Sequence, residues 1–236
     1  MQIKKLVFLT PKQGMTDDAF AAYWLGTHGP LIASLPNYGT WRQRYVQNHI
    51  TGQSPVGNNF VYSGIAEFWI PGESPNEDSF SRTDAFREIV RPDELNFLDL
   101  DRTAVIAATE EVLVPGSGQV KLIILSHLHE GADNDLLRSD TRQRLSSLLV
   151  SQPLQQLIKG WAINTTIAGT SKWLGRNLEE LHIDFVEEIW FDSLSDMNEI
   201  LSFWSEGVDK PGKEEHNKFY SRSSFIAKEY TLYDER

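Results

Sequence analysis

The sequence predicts an α+β fold: two tandem ferredoxin-like units, each ordered strand, helix, strand, strand, helix, strand, joined as one pseudo-dimer of the dimeric α/β-barrel type. Three echoes in the same order predict it. Lys5-Leu6-Val7-Phe8-Leu9 returns as Lys121-Leu122-Ile123-Ile124-Leu125, Glu67-Phe68-Trp69 as Glu188-Ile189-Trp190, and Val105 to Val114 loosely as Ser224 to Leu232. Pro115-Gly116-Ser117-Gly118 reads as a linker between units at 1–115 and 119–236.

In the first unit, strand one covers about Lys4 to Thr10. Thr16 is an N-cap, and Asp17 and Asp18 place negative charge on the first helical turn, where the helix dipole favours it. Gly29-Pro30 is expected to end this helix near His28, because proline disfavours α geometry in the residue before it. Strands two and three fall at Thr40 to His49 and Phe60 to Ile70. A second helix spans Asp78 to Val90 and stops before Pro92, and strand four is Arg102 to Val114. The second unit repeats the order, with strands near Val120 to Leu128, Gly160 to Thr166, Ile183 to Phe191 and Ser223 to Leu232. Its helices fall near Asn134 to Val150 and Ser195 to Glu206. Each four-stranded sheet with helices on one face leaves the other face bare, so the two units are expected to cover each other, with a pocket between the sheets.

Composition narrows the function classes. Lys and Arg total 22 against 33 Asp and Glu, a net charge of −11, which disfavours nucleic acid and anionic membrane surfaces as partners. Cysteine is absent, so disulfides, thiolate metal sites and cysteine nucleophiles are excluded. The apolar run Leu6 to Leu9 is too short for a signal peptide and no stretch spans a bilayer, so the expected location is the cytoplasm. No GxGxxG after a strand, GxxxxGK[ST], HExxH or GxSxG is present, and no nucleotide cofactor or metal is expected. Asn164-Thr165-Thr166 fits the glycosylation pattern but lacks the export signal that would give it meaning.

The segment Phe20-Ala21-Ala22-Tyr23-Trp24-Leu25-Gly26-Thr27-His28-Gly29-Pro30-Leu31 carries the strongest functional signal. Phe20, Trp24 and His28 are spaced i, i+4, i+8 along one helical stripe facing the sheet. A histidine in the last turn can act as general acid or base near neutral pH, or simply cap the last carbonyls. Tyr23-Trp24 through His28-Gly29-Pro30-Leu31, on a helix that follows an opening strand, resembles the EthD family of dimeric α/β-barrel proteins. The resemblance covers the first unit. In the second unit no histidine stands at Ser151-Gln152-Pro153, so that half is degenerate. The resemblance implies a pocket for a small, rather apolar, aromatic or polyketide-like molecule. Relatives include cofactor-free decarboxylases and dehydratases, and the wider superfamily holds cofactor-independent monooxygenases and haem-degrading enzymes. Carried onto this chain, His28 is the matching polar pocket residue.

Strand alternation adds candidates. Trp41, Gln43, Tyr45, Gln47 and His49 share one face of strand two, while Glu67 and Trp69 of strand three point into the barrel with Glu188 and Trp190 as counterparts. Glu67 either orients an imidazole or sits in an ion pair with Arg42, Arg44 or lysines. His127 and His129 share a strand face but lack further metal ligands, and His182 and His216 are isolated. The expected function is a cofactor-independent enzyme on a small hydrophobic substrate, working by proton transfer (decarboxylation, elimination or isomerisation). His28 is the acid–base, Tyr45, His49 and Glu67 assist it, and Tyr23, Trp24, Trp41 and Trp69 bind substrate. A cofactor-free or haem-dependent monooxygenase and a non-catalytic binding or scaffold protein are the alternatives. The assembly is a monomeric pseudo-dimer or a homodimer.

Overall fold

The computed structural model describes residues 3–57, 62–72, 74–75, 77–131, 133–149, 152–174, 183–207 and 220–235. Nine runs rich in β-branched and aromatic residues form strands: β1 (Ile3–Leu9), β2 (Arg44–Gly57), β3 (Gly64–Ile70), β4 (Ala104–Val114), β5 (Val120–Leu128), β6 (Ile158–Thr166), β7 (Lys172–Trp173), β8 (Phe185–Phe191) and β9 (Tyr220–Asp234). Their order is β1-β3-β2-β9-β5-β8-β6-β4, and β4 pairs back onto β1, which closes an eight-stranded antiparallel barrel. Within it β4-β1-β3-β2 and β9-β5-β8-β6 have the same internal order. They meet at β2 with β9 and at β4 with β6. Strand β7, which the sequence did not announce, adds two residues to the outer edge of β4 at Ala104 and Val105.

Helices lie outside the barrel. Over the first half are α1 (Asp17–Tyr23), α2 (Gly29–Ala33), α3 (Tyr38–Trp41) and α4 (Arg91–Phe97); over the second are α5 (Asn134–Leu149), α6 (Gln152–Gln155) and α7 (Leu194–Gly207). Thr16 caps α1 through its side chain, as expected. Both proline stops expected in the first half are corrected. Between α1 and α2 the chain makes a wider π turn, Trp24–His28, in which Gly29 N–H reaches back five residues to the Trp24 carbonyl. Pro30 then sits in the first turn of α2, where its missing N–H is harmless. The same device precedes α4: Phe86–Val90 is a π turn and Pro92 opens the next helical segment. Each helix therefore runs on past its proline. Strand two is also corrected, since Trp41 ends a helical turn and β2 starts at Arg44.

The barrel interior is filled, and it is filled in two layers. Leu6, Phe8, Ile65, Ile106, Ile123 and Phe225 pack into an apolar plug toward one end. Toward the other, Lys4 and Lys121 are completely buried among carboxylates. Lys4 Nζ lies 2.5 Å from Glu188, 2.9 Å from Glu110 and 3.1 Å from Glu67. Lys121 Nζ lies 2.7 Å from Glu67, 2.8 Å from Glu188 and 3.1 Å from Glu229. Trp69 donates to Glu110 and Trp190 to Glu229, and each indole also lies beneath one lysine, at 4.5 and 4.6 Å. Strand pairing sets Lys4 opposite Trp69 and Lys121 opposite Trp190. Lys4, not Lys5, is thus the positional partner of Lys121. The echo read from the sequence is one residue out of register, and a one-residue slip puts a side chain on the other face. Lys5 accordingly points outward.

Burial alone would lower the lysine pKa values, but Glu188 and Glu67 outweigh it and raise both. Burial and repulsion from Glu188 raise Glu67, whereas Lys121 and Lys4 hold Glu188 low against its own burial. The two carboxyls also hydrogen-bond each other, and each lysine bridges both of them. Lys121→Met leaves this group short of a buried charge and is expected to destabilise the protein by about 3–5 kcal/mol. Urea denaturation of the variant measures it; a loss below about 1 kcal/mol would mean that the charges are solvated rather than buried.

Candidate functional site

A partly open cavity of about 420 Å³ lies on the outer face of the sheet, between β1, β3 and β4 below and the first-half helices above. Val7, Ala66, Phe68 and Val105 form its floor. Trp24, Phe86, Val90 and Phe97 roof it, and Lys172 and Trp173 of β7 wall one side. Among the described residues, the space between the two sheets, where the pocket was expected, is taken up by the charged network and the apolar plug. In the second half, the space between sheet and helices is packed with Trp161, Phe185, Met197 and Trp204. There Glu187 stands on β8 where Ala66 stands on β3, and it binds Arg144 at 2.5 Å.

His28 lines the cavity and is buried. The π turn keeps it on the inward face with Trp24, since a wider turn brings residues four apart close to the same direction. Its Nδ1 lies 2.7 Å from Oδ2 of Asp93, whose other oxygen accepts the Tyr23 hydroxyl at 2.6 Å. The Phe97 ring packs 4.8 Å from the imidazole. With Nδ1–H given to Asp93, the imidazole presents Nε2 as its acceptor, and no described residue hydrogen-bonds to it. Burial lowers the His28 pKa below the usual 6.5 while Asp93 pulls the other way. The neutral base is therefore the main form at neutral pH, and Asp93 is placed to stabilise the imidazolium after proton uptake.

Tyr45 is the second polar group of the cavity. Its hydroxyl oxygen accepts from Trp24 Nε1 at 3.1 Å and from Gln47 Nε2 at 2.9 Å. Gln47 Nε2 also donates to the Trp24 carbonyl, which fixes the amide so that Oε1 accepts from His49 Nε2 at 2.9 Å. Both oxygen lone pairs of Tyr45 are used, so its own O–H proton is the part left for a molecule in the cavity. Burial raises the Tyr45 pKa, which keeps that proton in place. Trp24 stacks on His49 at 4.5 Å and presses against Gly64, where a Cβ would clash with the indole.

Charge is distributed unevenly around the rim. Arg42 stacks on Phe68 and Phe80 and donates to Asp78 at 2.6 Å; Lys5 reaches the same carboxylate at 3.3 Å and the Glu77 carbonyl at 2.6 Å. On α4, Glu94 lies 2.7 Å from Arg91 Nη1, yet neither atom has hydrogen-bond geometry, so this is a charge contact. Burial, with help from Asp93 and Asp78, pushes the Glu94 carboxyl up to about 7 against the pull of Arg91.

Of the residues singled out from sequence, His28, Trp24 and Tyr45 line this cavity. His49 stands behind Trp24, Tyr23 backs Asp93, and Trp41 packs beside the first-half core without lining the space. Glu67 and Trp69 belong to the barrel interior, on the other side of the sheet. His127 is held by Asp184 and meets His129 edge to face, and no group of metal ligands occurs among the described residues. His182 and His216 lie outside the described residues. Sequence reasoning missed Asp93 and Glu94 because it ended their helix at Val90. The spacing of Val90, Asp93, Glu94 and Phe97 carries a helical signal straight through Pro92.

The family model for the EthD domain matches residues 12–101, a stretch that holds His28, Tyr45, Asp93 and Glu94. No curated protein matches the chain. Solved structures share the fold at low identity. A provisionally named monooxygenase from Lactobacillus acidophilus NCFM is 12% identical with a TM-score of 0.54, over 98% of this chain and 95% of its own. A provisionally named chlorite dismutase is 8% identical with a TM-score of 0.54, over 98% and 96%. An anthrone oxidase-like protein is 8% identical with a TM-score of 0.52, over 98% and 93%. No helix among the described residues is long and apolar enough to cross a membrane.

His49 tests the support behind Trp24 and Tyr45. Burial and Lys228 hold its pKa down at about 4, below the 6.5 of an unfolded histidine. The unfolded chain therefore binds the proton first, and stability conferred by neutral His49 is lost as pH falls from about 6.5 toward 4. Thermal unfolding midpoints of the wild type are expected to drop across that window more steeply than those of His49→Gln; parallel curves would show that His49 does not titrate with folding.

Proposed function

We propose that this chain, whose residues 12–101 match the EthD domain model, is a cofactor-independent enzyme on a small hydrophobic, aromatic or polyketide-like substrate, working by acid–base proton transfer. The observation that carries the reading is the Asp93–His28 pair, which leaves a neutral Nε2 beside a cavity with an apolar floor and an aromatic roof. In this reading the substrate ring lies between the floor residues and Trp24 and Phe97. His28 Nε2 takes a proton from carbon or oxygen, Asp93 stabilises the resulting imidazolium, and the Tyr45 O–H donates to the oxygen on which negative charge develops. Decarboxylation, elimination and isomerisation all use these parts.

The two halves read as tandem units over 1–115 and 119–236, supported by the shared pairing order and by the matched Lys, Glu and Trp positions of the interior. One chain closes its own barrel, so a monomer in the cytoplasm suffices. A monooxygenase is the second reading, favoured by the names of two structural neighbours. Deprotonation by His28 would be its first step too, and oxygen uptake with turnover would distinguish it.

Native mass spectrometry of the purified protein is expected to retain an aromatic or polyketide-like molecule. With 5-nitrobenzisoxazole, whose ring opens when a base removes its C–H proton, the rate is expected to rise with pH as His28 loses its proton below about 6.5. His28→Ala is expected to keep the fold and lower that rate by about 10²-fold or more. Undiminished turnover in this variant would remove His28 as the base.

A further inference from the structure

We propose that Glu94 is a second catalytic residue of this cavity, the acid that delivers a proton to a leaving oxygen while His28 removes a proton from carbon. The inference rests on the reading of the cavity as a proton-transfer site and selects elimination among its reactions. Four features single out Glu94 from the other acids of the first half. It lines the same cavity as His28 and Tyr45, and its side chain is only 16% exposed. One carboxylate oxygen, Oε2, has no hydrogen-bond partner among the described residues, Arg91 contributing charge without alignment. Asp93, its neighbour on α4, is committed to His28 and Tyr23, and Asp78 is committed to Arg42 and Lys5. Finally, α4 places Asp93 and Glu94 on consecutive residues, so one short helix both orients the base and supplies the acid.

The groups that face Glu94 explain why it can hold a proton near neutrality. Arg91 stabilises the charged form, whereas Asp93, Asp78 and burial favour the neutral one, and Tyr45 on β2 is a neutral phenol nearby. A neutral carboxyl beside a neutral imidazole is the resting combination that elimination needs. The substrate class that these parts fit is a small β-hydroxy ketone able to lie against the apolar floor and the aromatic roof of the cavity. Tyr45 polarises the ketone oxygen and His28 Nε2 takes the α-proton. The C–H electron pair becomes the new C=C bond, the β C–O bond breaks, and the Glu94 proton joins the departing hydroxyl as water. His28 then returns its proton and Glu94 regains one through the open mouth of the cavity, so the protein is unchanged.

Two probes of different leaving ability test this. In both, base removes the C–H proton, the N–O bond breaks to give a nitrile, and the oxygen departs. The oxygen of 5-nitrobenzisoxazole leaves as a stable phenolate; that of unsubstituted 1,2-benzisoxazole needs a proton. Glu94→Gln is expected to slow the unsubstituted probe by about 10²-fold and the nitro probe by less than about tenfold, with Glu94→Asp restoring part of the difference. Equal slowing of both probes, or no slowing, would overturn the acid role while leaving His28 in place. Failure of the wild type to open either probe above the solution rate would overturn the proton-transfer reading itself, and Glu94 with it. Infrared difference spectra of wild type against Glu94→Gln give a probe-free readout. A protonated carboxyl band that fades as pH is raised through about 7 is expected, and a fully ionised Glu94 at about pH 5 would overturn the proposal.

Discussion

Two lysines held between four glutamates at the centre of the barrel decide where everything else can go. Lys4, Lys121, Glu67 and Glu188 come from four central strands and are almost completely buried. Charges taken this far from water are tolerated only when every partner is in place, so the network fixes strand register as well as filling space. Each half supplies one lysine and one glutamate to the crossing. Neither half can therefore close its share of the interior without the other. With that volume occupied, a cavity can form only outside the sheet, beneath a helical layer.

The helical layers differ in how well they seal. In the second half Trp161 and Trp204 close the gap, and Glu187 on the sheet is neutralised by Arg144. In the first half the corresponding sheet position is Ala66, small and apolar, and the helices above are widened by two π turns. Those turns arise where proline interrupts the regular hydrogen-bond ladder, and they let the helix continue instead of breaking. Continuation matters chemically. It brings Trp24 and His28 onto one inward face and adds the turn that carries Asp93 and Glu94. The cavity follows from a local irregularity laid over a repeated strand order.

Polar groups of the cavity are held by partners that lie behind them. Asp93 holds His28, and Trp24 with Gln47 holds Tyr45, while His49 fixes the amide of Gln47. In each case the group is bonded on its rear side and presents one remaining atom, Nε2 of the imidazole or the phenolic proton, for a ligand. The floor and roof are aromatic and aliphatic, which strengthens hydrogen bonds made against them, while the charged groups lie toward the rim.

Local pattern by itself determined the strand–helix–strand–strand–helix–strand order, the capped first helix with its Phe20, Trp24 and His28 stripe, and the inward direction of Glu67 and Trp69. These depend on periodicity and on end signals within a few residues. Only the tertiary structure decided the rest. The sheet separates Tyr45 from Glu67, because adjacent strands pair in a register that no single strand encodes. The lysine echo was read one residue off for the same reason: Lys4 and Lys5 are both lysine, and only pairing with Trp69 tells them apart. Asp93 and Glu94 were hidden behind Pro92, whose effect on a helix depends on whether neighbouring turns can widen. Where the cavity lies was settled by packing volume: under the same strand order, the described side chains of the second half pack between sheet and helices, whereas those of the first half leave a cavity.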